Sequence, residues 1–357
     1  MTLITSIISS LFTLLFFGGN STVEQKKINV QVNDNLEFMS SLLLTSDYNK
    51  ITKPHIGYGL MTEESNPYTD AINGFFLPYR TSAIYDRIEA MIPNGFTFSR
   101  PVELMLALGD SKDFSLQYPL SELCVQYCGG MEQIDSLLRQ LHDFSKETDY
   151  FEFFETVKAY YDPYLQKADS CLQSLPFVPL VEDFYGKAQH SYNFVLSGLM
   201  VGDFGLSFPA DDTAPLDLFS VHSLGDIDNV LSAGLIFHEL SHPFINPLTQ
   251  KYWHIAENYS DVYERLKVYK LPGFESGYGD WQECVNEHLV RAATIHFLSK
   301  SGQEEEANRN LENDLNRGYK YIPAILELFV QYDHNREKYR TLEEFYPMLL
   351  NVFGTEI

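Results

Sequence analysis

The stretch Leu235-Ile236-Phe237-His238-Glu239-Leu240-Ser241-His242-Pro243 decides how the rest of the chain is interpreted. It places a His-Glu-x-x-His pattern in an apolar sequence that is typical of a buried helix. Two histidines four residues apart lie on one helical face, about one turn from each other, so both imidazoles can bind one Zn²⁺. Glu239 lies roughly 100° around the helix from His238, where its carboxylate can act on a water rather than on the metal. The pattern therefore predicts a metal-dependent hydrolase.

The residues on either side of this pattern indicate where its helix begins and ends. Asp226 and Asp228 precede it, and acidic side chains are favourable at a helix N-terminus. Asn246-Pro247 predicts its end. Two imidazoles and a carboxylate are costly to bury unless something satisfies them, and a metal would do so. The alternative is a helix whose two histidines face solvent or form hydrogen bonds elsewhere.

A catalytic zinc usually takes three protein ligands and keeps one position open, so a third ligand must follow the motif. Glu287 is favoured because it lies in the apolar helical stretch 281–292, where a carboxylate needs a partner. Glu283, one turn earlier on the same face, is the second choice, and His254 is a candidate third histidine. Without a metal, Glu287 would form an ion pair with Arg291 at i+4. The remaining downstream carboxylates are Glu257, Asp261, Glu264, Glu275 and Asp280.

The composition limits the classes of partner. The chain has 357 residues, of which 14% are aromatic, so it can form a sizeable core. It has 25 Lys and Arg residues against 49 Asp and Glu, a net charge of −24. Such a chain should repel nucleic acid and anionic membrane surfaces. It would favour cationic or neutral substrates if the acidic charge also lines the cleft.

The chain divides into four predicted parts. Residues 1–20 are predicted to be a signal peptide, because the apolar run Leu3–Phe17 has the length of its hydrophobic region and is short for a membrane span. Residues 21–27 form a polar tether, residues 28–175 a mostly helical region, and residues 176–357 the metallopeptidase region. We expect export to the periplasm or the medium, without integral membrane association after signal cleavage. The alternative is a cytoplasmic protein with a buried N-terminal segment.

The predicted fold class is α+β, mostly helical, with a small sheet flanking the motif helix. Short strands are expected at Ile28–Val32, Asn193–Leu196 and Leu216–Val221, and extended pieces within Leu199–Phe208. An exposed edge of this sheet could hold an extended peptide by main-chain hydrogen bonds. The long helical patterns are at Tyr150–Leu175 and Tyr252–Lys270.

The motif residues resemble those of the gluzincin-like zinc metallopeptidases. The resemblance rests on residues 238–247 and on Asn286-Glu287-x-x-Val290-Arg291-Ala292, and it covers roughly residues 191–298. More narrowly, the chain is similar to a secreted bacterial zincin-like family of unknown function, also in the segment 204–208. The resemblance implies a zincin-type α+β fold with His238, His242 and Glu287 on zinc and Glu239 as general base. One position departs from gluzincins, in which an Asp that supports a ligand histidine takes the place of Arg291.

We therefore expect a zinc-dependent hydrolase, in the first place a peptidase that acts on a peptide or protein substrate. Glu239 would take a proton from the attacking water and pass it to the leaving amine. Tyr278 and His254 are candidates to stabilise the oxyanion. The alternative is a catalytically inactive module with a zincin fold that binds peptides or is stabilised by zinc.

Overall fold

A four-stranded sheet packs against the helix that carries the His-Glu-x-x-His pattern. The computed structural model describes residues 26–56, 59–209, 215–225, 227–267 and 281–356. The strands lie in the order β1-β2-β4-β3; β1, β2 and β4 are parallel, and β3 runs antiparallel to β4 at the edge. Their bounds are β1 Ile28–Gln31, β2 Ser191–Ser197, β3 Phe204–Pro209 and β4 Leu216–Ser223.

Helices make up most of the described chain. In chain order they are α1 Asp34–Thr45, α2 Tyr48–Ile56, α3 Pro67–Phe76, α4 Ala83–Met91, α5 Ser99–Leu106, α6 Glu122–Tyr127, α7 Met131–Glu147, α8 Tyr150–Val157, α9 Asp162–Leu172, α10 Phe177–Tyr185, α11 Ile227–Val230, α12 Ala233–Lys251, α13 Trp253–Ala256, α14 Asp261–Lys267, α15 Trp281–Lys300, α16 Glu304–Asn316, α17 Ile322–His334 and α18 Leu342–Leu350. Short 3₁₀ turns join several of them.

The α+β class with a small sheet beside the motif helix is confirmed. The predicted strands at residues 28–32, 193–196 and 216–221 correspond to β1, β2 and β4. β1 pairs with β2, so the sheet includes a strand from the N-terminal region. The predicted signal peptide lies outside the described residues, as does most of the tether. No helix in the described part of the chain is long and apolar enough to cross a membrane.

Two long predicted helices are interrupted. The pattern over residues 150–175 is divided into α8 and α9 by a 3₁₀ turn at Lys158–Tyr161. Pro163 lies in the first turn of α9, and it has no N–H with which to continue the hydrogen bonds of α8. The pattern over residues 252–270 is divided into α13 and α14 by a turn at Glu257–Tyr259. There the Asn258 amide donates to the His254 carbonyl oxygen at 2.8 Å, which competes with regular helix bonding.

The motif helix does not end at Asn246-Pro247 as predicted. α12 continues to Lys251, although Pro243 and Pro247 lie inside it and cannot donate a hydrogen bond. Packing compensates for the missing bonds. Phe244 stacks on Tyr185 with ring centroids 4.3 Å apart, and the Thr249 hydroxyl lies 2.6 Å from that of Tyr346.

A buried carboxyl group joins α1 to the end of the sheet. Glu37 on α1 is completely buried, and its Oε2 accepts hydrogen bonds from the hydroxyls of Tyr68 at 2.6 Å and Tyr161 at 2.7 Å. The Tyr161 hydroxyl in turn accepts the backbone N–H of Gly198, just after β2, at 2.7 Å. Burial raises the pKa of Glu37, against the lowering effect of these hydrogen bonds.

We expect Tyr161→Phe to lower the free energy of unfolding by about 1–3 kcal/mol, because it removes the hydroxyl partner of a buried carboxyl and of a buried N–H. Urea denaturation measures the change. Tyr160→Phe is the matched control, because it keeps a half-buried ring that stacks on Tyr68 at 4.8 Å and removes a hydroxyl that does not contact Glu37. This substitution should change the free energy of unfolding by less than about 0.5 kcal/mol. Equal effects of the two substitutions would contradict the proposed role of the Tyr161 hydroxyl.

Candidate metal centre

The packing of α12 against α15 brings the candidate ligands together. The Ser232 hydroxyl caps α12 by accepting the N–H of Leu235 at 3.3 Å, which fixes where the helix begins. Phe237 on α12 stacks on Phe297 of α15 with ring centroids 5.1 Å apart. Most of α15 is apolar and buried, so the two helices lie close along their length. Glu287 is thereby placed opposite the two motif histidines.

His238, His242 and Glu287 form a compact cluster. One ligand atom from each lies within 4.8 Å of the others. The two Nε2 atoms are 3.1 Å apart, and Glu287 oxygens lie 3.5 Å from His242 Nε2 and 3.8 Å from His238 Nε2. In a tetrahedral zinc site with bonds of about 2.0–2.1 Å, ligand atoms are about 3.4 Å apart. The separations in the cluster, measured to Oε1 of Glu287 for His242 and to Oε2 for His238, are therefore close to those of such a site.

The donor set has the chemistry of a cation site. The Nδ1 of His242 lies 3.3 Å from the Asn246 side-chain oxygen, which can only accept. This places the proton on Nδ1 and leaves the Nε2 lone pair directed at the cluster. Burial lowers the pKa of His238 to about 3; Glu287 opposes this effect, and His242, Arg291 and Arg317 add to it. A neutral imidazole is the form that binds a metal.

Glu287 is both a member of the cluster and a partner of Arg291. The Arg291 Nη2 lies 3.0 Å from Glu287 Oε2, which is the ion pair that the sequence offered as the alternative to a metal. In the structure, Glu287 contacts both the motif histidines and Arg291. Burial would raise the pKa of Glu287, but His238, Arg291 and His242 together lower it. Arg291 also donates to Asp314 at 2.9 Å, so it holds the carboxylate of the cluster in place.

Glu239 lies beside the cluster and next to the edge strand. A Cβ atom built on Gly205 of β3 would lie 3.1 Å from its Oε2, so the strand approaches the carboxylate as closely as glycine allows. Burial raises the pKa of Glu239 to about 8, with further raising effects from Asp203 and Glu287. A half-buried carboxyl group with a raised pKa is suited to general acid–base chemistry near neutral pH.

A hydrogen-bonded chain on the sheet was not predicted. The Nδ1 of His222 lies 2.8 Å from Asp203 Oδ1, and its Nε2 lies 2.5 Å from the Ser220 hydroxyl. Ser220 pairs with Gly205, so both lie on the sheet face that is nearest Glu239. The two-residue spacing of Ser220 and His222 could have indicated a shared face. Asp203, which precedes β3, offers no such signal.

Two cavities adjoin the cluster. The first, which we name the edge-strand pocket, has a volume of about 390 Å³ and includes Gly205, Leu206, Ser207, His242, Asn246 and Glu283. The second, which we name the α16 pocket, has a volume of about 560 Å³ and includes His238, Glu239, Arg291, Arg309, Asn310 and Arg317. Both cavities, as the described residues line them, therefore reach the cluster.

The other candidates do not join the cluster. Glu283 is exposed and lines the edge-strand pocket, and His254 is exposed on α13. Neither belongs to the group of possible metal ligands found among the described residues. Tyr278, the first oxyanion candidate, lies outside the described residues, as do Glu275 and Asp280.

Comparison with known proteins identifies one family. Residues 28–352 match the family model described as a domain of unknown function, DUF4932. No curated protein and no solved structure matches the chain.

Titration of Glu239 should be visible in the stability of the metal-free chain. The pKa of Glu239 is about 8 in the folded chain, raised from 4.5. The stability that this difference contributes is complete below the ordinary pKa and is lost as the pH rises through the pKa of the folded chain. The free energy of unfolding of the wild type should therefore decrease between about pH 5 and about pH 8. We expect this decrease to be smaller in Glu239→Gln by about 1 kcal/mol or more. Urea denaturation at both pH values measures it.

The control is Glu257→Gln, since Glu257 is exposed and should leave the pH dependence as in the wild type. An identical pH dependence for wild type and Glu239→Gln would show that Glu239 is not held in a protonated, buried state.

Proposed function

The chain belongs to the DUF4932 family, and we propose that it is a zinc-dependent hydrolase, in the first place a peptidase, that uses Glu239 as a general base. The observation that carries this proposal is the placement of Glu239 beside two imidazole nitrogens and a carboxylate that lie within 4.8 Å of one another. A purely structural site has no need of a fourth, protonatable group at its edge.

Zinc suits the three donors better than harder cations. Two imidazoles and one carboxylate are the ligand set of many catalytic zinc sites, whereas Mg²⁺ and Ca²⁺ prefer oxygen ligands. Among the described residues the cluster has three protein donors, which leaves a fourth tetrahedral position for water or substrate. His238, His242 and Glu287 would hold the ion, and Arg291 would keep the Glu287 carboxylate in position.

The chemistry divides between the ion and the chain. When bound, Zn²⁺ supplies Lewis acidity, which makes a water easier to deprotonate and a carbonyl easier to attack. Glu239 takes the proton of the attacking water on its carboxylate and then passes that proton to the leaving amine. Poor solvation raises the proton affinity of Glu239 above that of an exposed carboxylate.

The edge strand favours a peptide as substrate. Among the described residues, β3 pairs with β4 and has no strand on its other side. Gly205, Leu206 and Ser207 line the pocket beside His242. An extended peptide could pair with this free edge and pass the cluster at the level of Gly205. Because Gly205 has no side chain, the substrate backbone can approach Glu239 closely. A zincin-like arrangement of sheet, motif helix and third-ligand helix belongs to the same proposal.

The first test is the metal content of the purified chain. We expect about one zinc per chain in the wild type and its loss in His238→Ala, because two remaining donors bind zinc weakly. His254→Ala is the control, since it removes an exposed histidine outside the cluster, and it should keep the wild-type zinc content. Plasma mass spectrometry measures the zinc content of each chain. Wild-type chain that neither contains zinc nor takes it up would remove the enzyme hypothesis.

The second test separates metal binding from turnover. We expect Glu239→Gln to keep its zinc and to lose about 100-fold or more in kcat/KM on a peptide library, because the amide cannot accept the proton. Glu257→Gln, which alters an exposed carboxylate elsewhere, should cleave like the wild type. Undiminished cleavage by the zinc-loaded Glu239→Gln chain would rule out Glu239 as the base. Zinc binding without cleavage by the wild type would favour the inactive module.

A further inference from the structure

The α16 pocket has a polar lining that the proposed peptidase chemistry does not explain. It opens onto His238 and Glu239, whereas the edge-strand pocket opens onto His242. Three arginines line it: Arg291, Arg309 and Arg317. The chain as a whole has almost twice as many acidic as basic residues, 49 against 25. Three guanidinium groups around one cavity therefore depart from the acidic composition, and they do so beside the proposed reaction centre.

One face of α16 provides a large share of this lining. Glu306, Arg309, Asn310 and Asn313 are spaced by three or four residues, so they lie on the same side of the helix, and Arg317 continues the row just past its end. The amides of Asn310 and Asn313 add hydrogen-bond donors and acceptors to the guanidinium groups. The row is thus able to bind a polar or charged group of a ligand.

The acidic groups of the pocket have partners within the protein. Glu306 Oε1 accepts the backbone N–H of Gly234, at the start of α12, at 2.8 Å. Asp314 lies between Arg291 at 2.9 Å and Arg317 at 3.7 Å. Glu239 is the proposed base. These contacts assign each carboxyl group of the pocket a structural or chemical role.

Arg309 is engaged less strongly than the other two arginines. Its ion pair with Glu305 measures 3.9 Å, and the side chains are 64% and 97% exposed. Such a pair contributes little and is easily exchanged. Its guanidinium nevertheless lines the pocket. Arg309 can therefore turn to an incoming anion without breaking a buried contact.

We propose that the α16 pocket is a substrate subsite that binds a carboxylate close to the scissile bond, with Arg309 making the contact. The inference rests on the proposed peptidase function. A guanidinium binds a carboxylate with two parallel hydrogen bonds, which a neutral amide of the same shape cannot reproduce. The carboxylate could be an Asp or Glu side chain or the C-terminus of the substrate. The composition predicted cationic or neutral substrates on the condition that acidic charge lines the cleft. The α16 pocket does not meet that condition, because three arginines line it together with the carboxyl groups.

The test compares matched peptides on the zinc-loaded full chain. Cleaved peptides from a library are resynthesised with Asp or Glu changed to Asn or Gln, and separately with the C-terminal acid changed to an amide. We expect one of these changes to lower kcat/KM by about tenfold or more. The arm that responds identifies the source of the carboxylate. In Arg309→Gln, the ratio of kcat/KM for the acid peptide to kcat/KM for the amide peptide should be close to one. Arg309→Lys should keep part of the preference for the acid peptide.

Arg139→Gln is the charge-matched control, because Arg139 is exposed on α7, and it should leave the ratio unchanged. A wild-type chain that cleaves both members of each pair equally would overturn the subsite. So would a preference that persists in Arg309→Gln.

A binding measurement keeps the subsite testable if the wild type cleaves nothing. The zinc-loaded Glu239→Gln chain is titrated calorimetrically with acetyl-Gly-Asp-Gly-Gly-amide and with its Asn twin. We expect the Asp peptide to bind about tenfold more tightly, and Arg309→Gln to remove the difference. The same chain is titrated with acetyl-Gly-Gly-Gly-Gly as the free acid and as the amide, which tests the C-terminus. Equal binding within both pairs, or a difference that survives Arg309→Gln, would reject the subsite. If the acid peptide binds more tightly but the wild type cleaves no peptide, only the peptidase function is rejected.

Discussion

The contact between α12 and α15 is the constraint on which the candidate site depends. The motif supplies two imidazoles on one helix, but the third donor is 45 residues further along the chain, since 287 − 242 = 45. Apolar packing such as Phe237 on Phe297 brings the helices together, and the polar groups occupy the same interface. Burial of these groups is unfavourable unless they satisfy one another. The hydrophobic contact thus supplies the free energy that holds a polar cluster in place.

Some of this site was accessible from sequence because its information is local. The spacing of His238 and His242 fixes a shared helical face, and an apolar setting marks Glu287 as a carboxylate that needs a partner. The choice between a ligand and an ion pair with Arg291 could not be made locally, and in the structure both contacts occur together. Asp203 and Arg309 reach the site through strand pairing and helix packing. No periodicity in the sequence encodes such distant contacts.

The charges around the site form a connected series. Glu287 pairs with Arg291, Arg291 with Asp314, and Asp314 with Arg317. Because each member touches the next, a change at the far end alters the field at the cluster, and the pKa of His238 responds to both Arg291 and Arg317. An acidic protein can in this way maintain a locally balanced site, in which positive charge offsets the carboxylates that the chemistry requires.

Pro243 gives the proposed base a second capacity. A proline four residues after Glu239 cannot donate the N–H that would normally bond to the Glu239 carbonyl oxygen. That oxygen lies 3.9 Å from where a Cβ on Gly205 would be, so it is directed towards the edge strand. The same residue thus presents a side-chain carboxylate and a main-chain carbonyl oxygen to the edge strand. The interrupted hydrogen-bond ladder of α12 therefore leaves a backbone acceptor between the motif helix and the edge strand, next to the proposed base.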